Sequence, residues 1–350
     1  MSDIADLSKG IGISKDQLSA DGEPCILYGE LYTKYKSETI KEVISKTNID
    51  NTKLVKSKAN DVIIPCSGET AEEIATARCV LKDDILLGGD LNIIRLHGYD
   101  GSFMSYQLNG KRKYDIAKVA QGVSVVHLYG EHLKNIKTIN PSLNEQKKIA
   151  NLLSLLDERI STQNKIIEKL QSLIKGLSIS LTTKENPNTV ISQCLECHSS
   201  TLQESEVLPN GLYKVFGASG LIGYTNNSQM SGEAILIIKD GSGVGTTSYA
   251  QGEFSVIGTL NYLTVIGNYD LRYLYFALSM FNFQPYKIGM AIPHIYFKDY
   301  SRAKIYCPSF TEQKRIANVL GKVESKLLLE QELIMSFNQQ KRYLLSQMFI

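Results

Sequence analysis

Pro141-Ser142-Leu143-Asn144-Glu145-Gln146-Lys147-Lys148-Ile149-Ala150-Asn151-Leu152-Leu153 recurs as Pro308-Ser309-Phe310-Thr311-Glu312-Gln313-Lys314-Arg315-Ile316-Ala317-Asn318-Val319-Leu320. Nine of the thirteen positions are identical at a constant offset of 167, so the chain is assembled from a repeated unit. Each copy opens a long run of heptads. In the first, Ile149, Leu153, Leu156, Ile160, Gln163, Ile167, Leu170, Ile174, Leu177 and Leu181 step by four and three without a slip. In the second, Ile316, Leu320, Val323, Leu327, Glu330, Ile334, Phe337, Lys341, Leu344 and Met348 do the same. Spacing this narrow is a coiled-coil seam rather than the broad stripe of a surface helix. Gln163 is the polar slot of the first seam, Glu330 and Lys341 those of the second.

The repeat extends beyond the helices. At the same offset Gly122 corresponds to Gly289, His127 to His294, Tyr129 to Tyr296 and Lys137 to Lys304. Leu91-Asn92 resembles Leu260-Asn261 at an offset of 169, a small insertion's difference. The chain therefore reads as globule, helix, globule, helix, with boundaries at 1–141, 142–183, 184–308 and 309–350. Its 350 residues suit two domains better than one.

Both globules look β-rich. Pro24–Gly29, Asp61–Pro65, Asp84–Gly89 and Ala234–Ile238 are short apolar runs bounded by Gly, Pro or Asp, the pattern of strands. A short helix is predicted around Leu271–Met280. Ser142 with Glu145, and Ser309 with Glu312, have capping-box spacing, and Pro141 and Pro308 stop the helices from extending upstream. The first helix is expected to end near Leu181, the second near residue 349. With a whole globule between them, the economical arrangement is antiparallel, each seam burying the other. Gln163 and Glu330 correspond to each other, and such a pairing would set a polar layer at the centre that fixes register.

The net charge of +2 and 43% hydrophobic content are those of an ordinary soluble protein and single out no partner. No apolar run approaches the roughly 20 residues of a membrane span, and the first residues lack the pattern of a signal peptide. A cytoplasmic location follows as the expectation, with Cys25, Cys66, Cys79, Cys194, Cys197 and Cys307 reduced.

The Pro-Ser-x-x-Glu-Gln-Lys-x-Ile-Ala-x-x-Leu segment, present twice and each time after a β-rich domain, resembles the specificity (S) subunit of Type I restriction–modification enzymes. Gly241–Thr247 and Gly289–Ile295 also look like turns of that family's recognition domains. Ser67–Thr70 and Gly122–Leu128 are looser matches in the first globule. The resemblance implies an α+β fold: two pseudo-symmetric β-rich target-recognition domains separated by two long antiparallel coiled-coil helices. It further implies a non-catalytic subunit in which each domain reads one half of a split target in double-stranded DNA. The helix pair would set the spacing and dock two methyltransferase (M) subunits, and motor and nuclease (R) subunits would join that core. S-adenosylmethionine, ATP and Mg2+ would serve those partners, with no cofactor or metal in this chain. A coiled-coil adaptor with duplicated protein-binding globules is the alternative.

Candidate DNA contacts are the basic groups Lys53, Lys56, Lys58 and Lys111-Arg112-Lys113, the turn residues Ser242, Thr246 and Thr247, and His294. Lysine and arginine there would supply salt-dependent phosphate contacts, and a glycine turn can offer N–H and hydroxyl donors to phosphate. The expected helix-pair contacts are Ile149, Leu153, Leu156, Ile160, Gln163 and Ile167 with Ile316, Leu320, Val323, Leu327, Glu330 and Ile334. Other chemistries are poorly supported. Cys194-Leu195-Glu196-Cys197-His198 fits haem attachment or half a zinc site, but no second ligand pair is suitably spaced. A phosphate-binding Gly-x-x-x-x-Gly-Lys-Ser/Thr loop is absent, as is the Asn/Asp-Pro-Pro-Tyr/Phe tetrapeptide of adenine methyltransferases. Glu145-Gln146-Lys147 and its repeat have a nuclease-like Glu-x-Lys form, yet they sit at capped helix starts.

Overall fold

The computed structural model describes residues 1–122 and 124–349. The chain separates into two compact units, Met1–Asn164 together with the segment from Glu332 onward, and Lys165–Gln331. The division falls inside the two long helices, because each half-helix packs with its own neighbouring globule.

One sheet topology underlies both units. In the first, five strands lie in the order Ala5–Lys9, Leu91–Leu96, Asp61–Pro65, Arg78–Val80 and Thr39–Ile40. In the second the order is Leu195–Ser199, Leu260–Val265, Met230–Ile238, Thr247–Val256 and Tyr213–Gly217, with Gly220–Thr225 added at the edge. Taken in chain order, both sheets run first, fifth, third, fourth, second. Both are antiparallel until the last pair, where Thr39–Ile40 runs parallel to Arg78–Val80 and Tyr213–Gly217 parallel to Thr247–Val256. The duplication read from a few helical residues is thus a duplication of the whole module.

The continuous apolar runs are strands buried on both faces. Val62 and Ile64 enter one core of the first unit and Ile63 the other, while Ile235 and Ile237 part from Ala234, Leu236 and Ile238 in the second. Such strands lose the polar alternation of a half-exposed sheet. The first unit carries an additional small sheet of Leu18–Ser19, Ser45–Thr47, Glu23–Ile26, Leu86–Leu87 and Val55–Lys56.

A central helix spans Leu143–Thr182 and a distal helix Phe310–Gln347. At 1.5 Å per residue, 40 and 38 residues give rods of about 60 Å. Every seam position named above is buried or half-buried, Gln163 and Glu330 among the buried ones. The helical sense is antiparallel within each unit. In the first, Ile149 and Leu153 pack with Leu344, Met348 and Phe349, and Asp157, farther along the central helix, meets Lys341, farther back along the distal one. In the second, Leu177 and Leu181 pack against the cluster holding Ile316, Ala317 and Leu320.

The caps work as spaced: the Glu145 amide donates to Ser142 Oγ and the Glu312 amide to Ser309 Oγ, each at 3.4 Å. The glutamine beside each glutamate does more. Gln146 is almost fully buried; its Oε1 accepts the Asp100 amide at 2.9 Å and its Nε2 donates to the Pro141 carbonyl at 2.8 Å. Gln313 repeats both bonds with the Asp270 amide at 3.0 Å and the Pro308 carbonyl at 2.8 Å. Asp100 and Asp270 in turn cap the short helices Gly101–Asn109 and Leu271–Ser279 through the Phe103 and Tyr273 amides. One side chain therefore ties each long helix to its globule.

Lys341 also finds its reason here. Its ammonium lies 2.6 Å from both Glu38 and Asp157, and Asp157 also accepts from Tyr106 Oη at 2.7 Å. Burial opposes charge on Asp157, but Lys341 and the hydrogen bonds hold its carboxyl below the usual aspartate range; burial pushes Glu38 up. The counterpart of Asp157 in the second unit is Glu324, which binds Arg272 and accepts from Tyr275 Oη at 2.9 Å.

Gln313→Ala leaves two half-buried backbone groups unpartnered and is expected to cost about 1–3 kcal/mol, read as a lower midpoint in denaturant unfolding. Lys341→Met strands two buried carboxylates, at an expected cost of about 3–5 kcal/mol near neutral pH. Such a pair retains a proton when folded, raising the folded pKa above the unfolded value. The variant's deficit is then smallest at low pH and grows as pH rises through the raised folded pKa, read as a urea midpoint that falls further below that of the unaltered protein from acid toward neutral pH.

Candidate nucleic-acid interface

On each globule two loops meet at one end of the sheet. The first joins the third and fourth strands of the sheet: Cys66–Ala77 in one unit, Lys239–Thr246 in the other. The second is the hairpin that precedes the long helix, 121–127 or 288–294. In the second unit the Gly241 amide donates to the Pro293 carbonyl at 2.9 Å, the Ile295 amide to the Lys239 carbonyl at 2.9 Å, and Asp240 bridges His294. In the first, Ser67 and Gly68 pair with His127 and Val126, and the Leu128 amide donates to the Cys66 carbonyl at 2.8 Å. Leu128 and Ile295 stand at the repeat offset, so the junction itself is duplicated.

Each hairpin closes on itself by the same bonds, Gln121 with His127 and Ile288 with His294. The glycine after the first of these residues has positive φ, +126° for Gly122 and +90° for Gly289. A Cβ on Gly289 would stand 2.6 Å from the Ile292 carbonyl oxygen, and one on Gly122 would collide with the equivalent Val125 oxygen. Glycine is required at both positions. His294 Nδ1 lies 3.4 Å from the Ile292 oxygen, and its ring meets Tyr296 edge-on at 5.0 Å, which makes the imidazole a brace of its own hairpin. His127 stacks on Tyr129 at 6.2 Å. Both tyrosines are exposed and carry a lysine ammonium over the ring, Lys9 at 5.4 Å from Tyr129 and Lys298 at 5.2 Å from Tyr296.

The glycine turn is largely self-satisfied. The amides of Gly241, Val244, Gly245 and Thr246 bond to Pro293, Gly241, Ile238 and Gly243 carbonyls. Among the described residues this leaves the Ser242 and Gly243 N–H groups without a backbone acceptor. Ser242 and Thr246 are exposed. Thr247 departs from expectation: its Oγ1 is buried without a hydrogen-bond partner, because the residue already belongs to the strand and turns inward.

The basic candidates are dispersed. Lys53 and Lys58 are exposed on loops, and Lys56, on the small extra sheet, faces Glu23 at 3.6 Å. Lys111-Arg112-Lys113 lies at the start of Lys113–Val119, where Gly110 abuts the Leu345 carbonyl of the distal helix. Only Lys111 is exposed; Arg112 pairs with Asp115, and burial together with Arg78 pulls Lys113 below the usual lysine range. That cluster is therefore a packed corner beside the helix rather than a free basic patch. Cys194 is buried in the core, while His198 stacks on Tyr262 at 4.9 Å and bonds Thr264 Oγ1 at 2.9 Å, so both residues are structural at the domain's entry. Sequence reasoning missed Lys9, Lys298, Met290 and Ile292. The repeat did mark Tyr129 and Tyr296, but nothing local foretold the lysines over their rings.

On the helices, Leu152 and Val319 are 49% and 45% exposed, and Ile166 and Leu333 37% and 41%. Both pairs stand at the repeat offset, outside the seam.

Two copies of one mixed-sheet module, each followed by a long helix and each presenting the same loop-and-hairpin junction, define a tandem recognition protein. The sequence profile described as the Type I restriction modification DNA specificity domain matches residues 1–172 and 196–338. The chain belongs to that family. It is 30% identical over 182 residues to the Type I restriction enzyme MjaVIII specificity subunit of Methanocaldococcus jannaschii, a match covering 52% of this chain and 41% of that one. It is 25% identical over 114 residues to the EcoprrI specificity subunit of Escherichia coli, covering 33% of this chain and 28% of that one. The matched stretches thus span less than half of these relatives. The crystal structure of the Type I restriction–modification S subunit from M. genitalium superposes with a TM-score of 0.73 at 18% identity, over all of this chain and 94% of the other, and shares the fold. No described helix is long and apolar enough to cross a membrane.

Gly289→Ala forces a side chain into the left-handed region and against the Ile292 carbonyl, an expected cost of about 1–3 kcal/mol. Limited proteolysis should show faster cleavage within 288–294 than in the unaltered protein, with the rest of the digestion pattern unchanged.

Proposed function

We propose that this chain is the DNA-sequence-recognition subunit of a Type I restriction–modification complex. Each globule reads one half of a bipartite target in double-stranded DNA. The helix pair sets the gap between the halves and docks two methyltransferase subunits, to which motor and nuclease subunits are added. Methyl transfer and cleavage, with S-adenosylmethionine, ATP and Mg2+, belong to those partners, and this chain supplies the address. Its place of work is the cytoplasm, where the DNA and the partners are.

The observation that carries this reading is the repetition of one loop-and-hairpin junction on two sheets of the same strand order. A split target needs two readers with a common frame, whereas a single site needs one. Contacts to phosphate from Ser242, Thr246 and exposed lysines such as Lys53 and Lys58 would hold the duplex, with base edges read by neighbouring side chains. The apolar pairs Leu152 with Val319 and Ile166 with Leu333 support the stoichiometry, because a surface presented twice at equivalent positions takes two copies of one partner.

Co-expression with the neighbouring methyltransferase subunit is expected to give adenine methylation at a two-part sequence. Protein that binds the methyltransferase yet directs no methylation would favour the adaptor reading instead. One heptad inserted after Ile160 and another after Leu327 lengthens the rods by about 10 Å, roughly three base pairs of duplex, and should widen the gap while leaving both half-sites unchanged. Leu152→Glu and Val319→Glu should each remove one methyltransferase subunit from the complex, read by native mass spectrometry.

A further inference from the structure

The hairpin of the second unit ends in two aliphatic side chains that nothing in the fold uses. Met290 is fully exposed and Ile292 is 69% exposed, one residue apart at the tip. Leaving such groups in water forgoes the stabilisation that their burial would give. The tip is nevertheless held stiffly: Ile288 and His294 exchange backbone bonds at 2.9 and 2.8 Å, Gly289 takes the left-handed conformation, and the His294 ring braces the loop from beneath. Rigid support under unpartnered aliphatic groups is the design of a probe rather than of a fraying loop.

Its size points to the partner. A stable protein interface needs about 800 Å² from each side, far more than two side chains on a short hairpin can offer. A gap between two base pairs is a slot of the right scale, and Met, Ile and Pro are among the residues that enter such slots from the minor groove. Lys287 and Lys298 flank the hairpin on the two sides in sequence, and the exposed Ser242 of the adjoining turn lies next to the Gly241–Pro293 bond. Cations and a hydroxyl around an aliphatic tip match phosphates around an opened base step. Asp299 also lies nearby in sequence and Asp240 pairs with His294, but both are only partly exposed.

The geometry points to Met290 and Ile292 as a wedge that enters a base step of the half-site read by the second globule and partly unstacks it. This rests on the DNA-reading function proposed above and adds to it a mode of recognition: selection of a step that opens easily, in addition to any reading of base edges. In the first unit Val125 corresponds to Ile292 at the repeat offset, with a smaller side chain. The wedge is assigned to the second globule alone.

The test uses the complex of the full chain with its methyltransferase subunits, on duplexes carrying 2-aminopurine at successive positions across both half-sites. The unaltered complex is expected to raise the fluorescence severalfold at one step in one half-site, apart from any signal at the methylated adenine. Met290→Ser with Ile292→Ser should abolish that rise while the signal at the methylated adenine, the thermal midpoint and subunit content stay unchanged; Met290→Leu with Ile292→Val should keep it. An unaltered rise in the serine variant, or loss of the methyltransferase subunits from it, overturns the wedge while leaving the DNA-reading function standing. Failure of the unaltered complex to bind any duplex specifically overturns both.

Discussion

Everything the two modules present to the outside depends on a buried glutamine. Gln146 and Gln313 each join the proline carbonyl that ends the globule and the start of a long helix to an aspartate more remote in sequence, the one that caps a short helix against the sheet. A flexible join would let the globule pivot on its rod. A buried amide satisfied by one acceptor and one donor on separate elements cannot pivot without leaving polar groups unpaired. This explains why the glutamine sits between a capping glutamate and a lysine in both copies, where a helix start alone would need only the glutamate.

Around that fixed join the two copies have solved one electrostatic problem differently. Asp157 and Glu324 occupy the same position on their helices, and each also accepts a tyrosine hydroxyl. The first takes its cation from Lys341 on the distal helix, the second from Arg272 on its own globule, whose guanidinium also lies 4.3 Å from the Tyr249 ring centre. Each carboxylate is compensated, Asp157 by a cation on the other long helix and Glu324 by one on its own globule. A lysine in a seam slot weakens apolar packing, and it is tolerated here because two carboxylates and the Tyr106 ring receive it.

Much of the architecture was legible in the sequence because its signals are local or periodic. The seam, the caps and the strand runs each follow from spacing within a few residues, and the duplication follows from a constant offset. The shared strand order was not legible, since the offset drifts through insertions upstream of Leu91 and Leu260 and the strands pair across long separations. The site was read less well for the same reason. Lysine clusters are visible as letters, but whether Arg112 and Lys113 turn inward depends on Arg78 and on the packing of the distal helix against Gly110. The hairpin was visible as a repeated Gly and His within a turn resembling those of the family. That its apolar tip stands in water is a property of the fold.

What the copies share and what they do not share divides along a functional line. Common to both are the sheet order, the glutamine clamp, the left-handed glycine of the hairpin and the tyrosine with a lysine over its ring. Under the function proposed above, these elements would meet things that are the same on both sides: the helix pair, one kind of partner, and the uniform sugar–phosphate backbone. The departures lie elsewhere. The first module adds a small sheet and runs the loop between its third and fourth strands through the helix Ala71–Ile74, where the second has a tight glycine turn. Its hairpin carries Val125 where the second has Ile292. A protein whose two halves had to bind one identical ligand would gain nothing from remodelling these surfaces. One whose halves must read different base sequences on a common backbone needs that combination, a conserved frame and divergent loops.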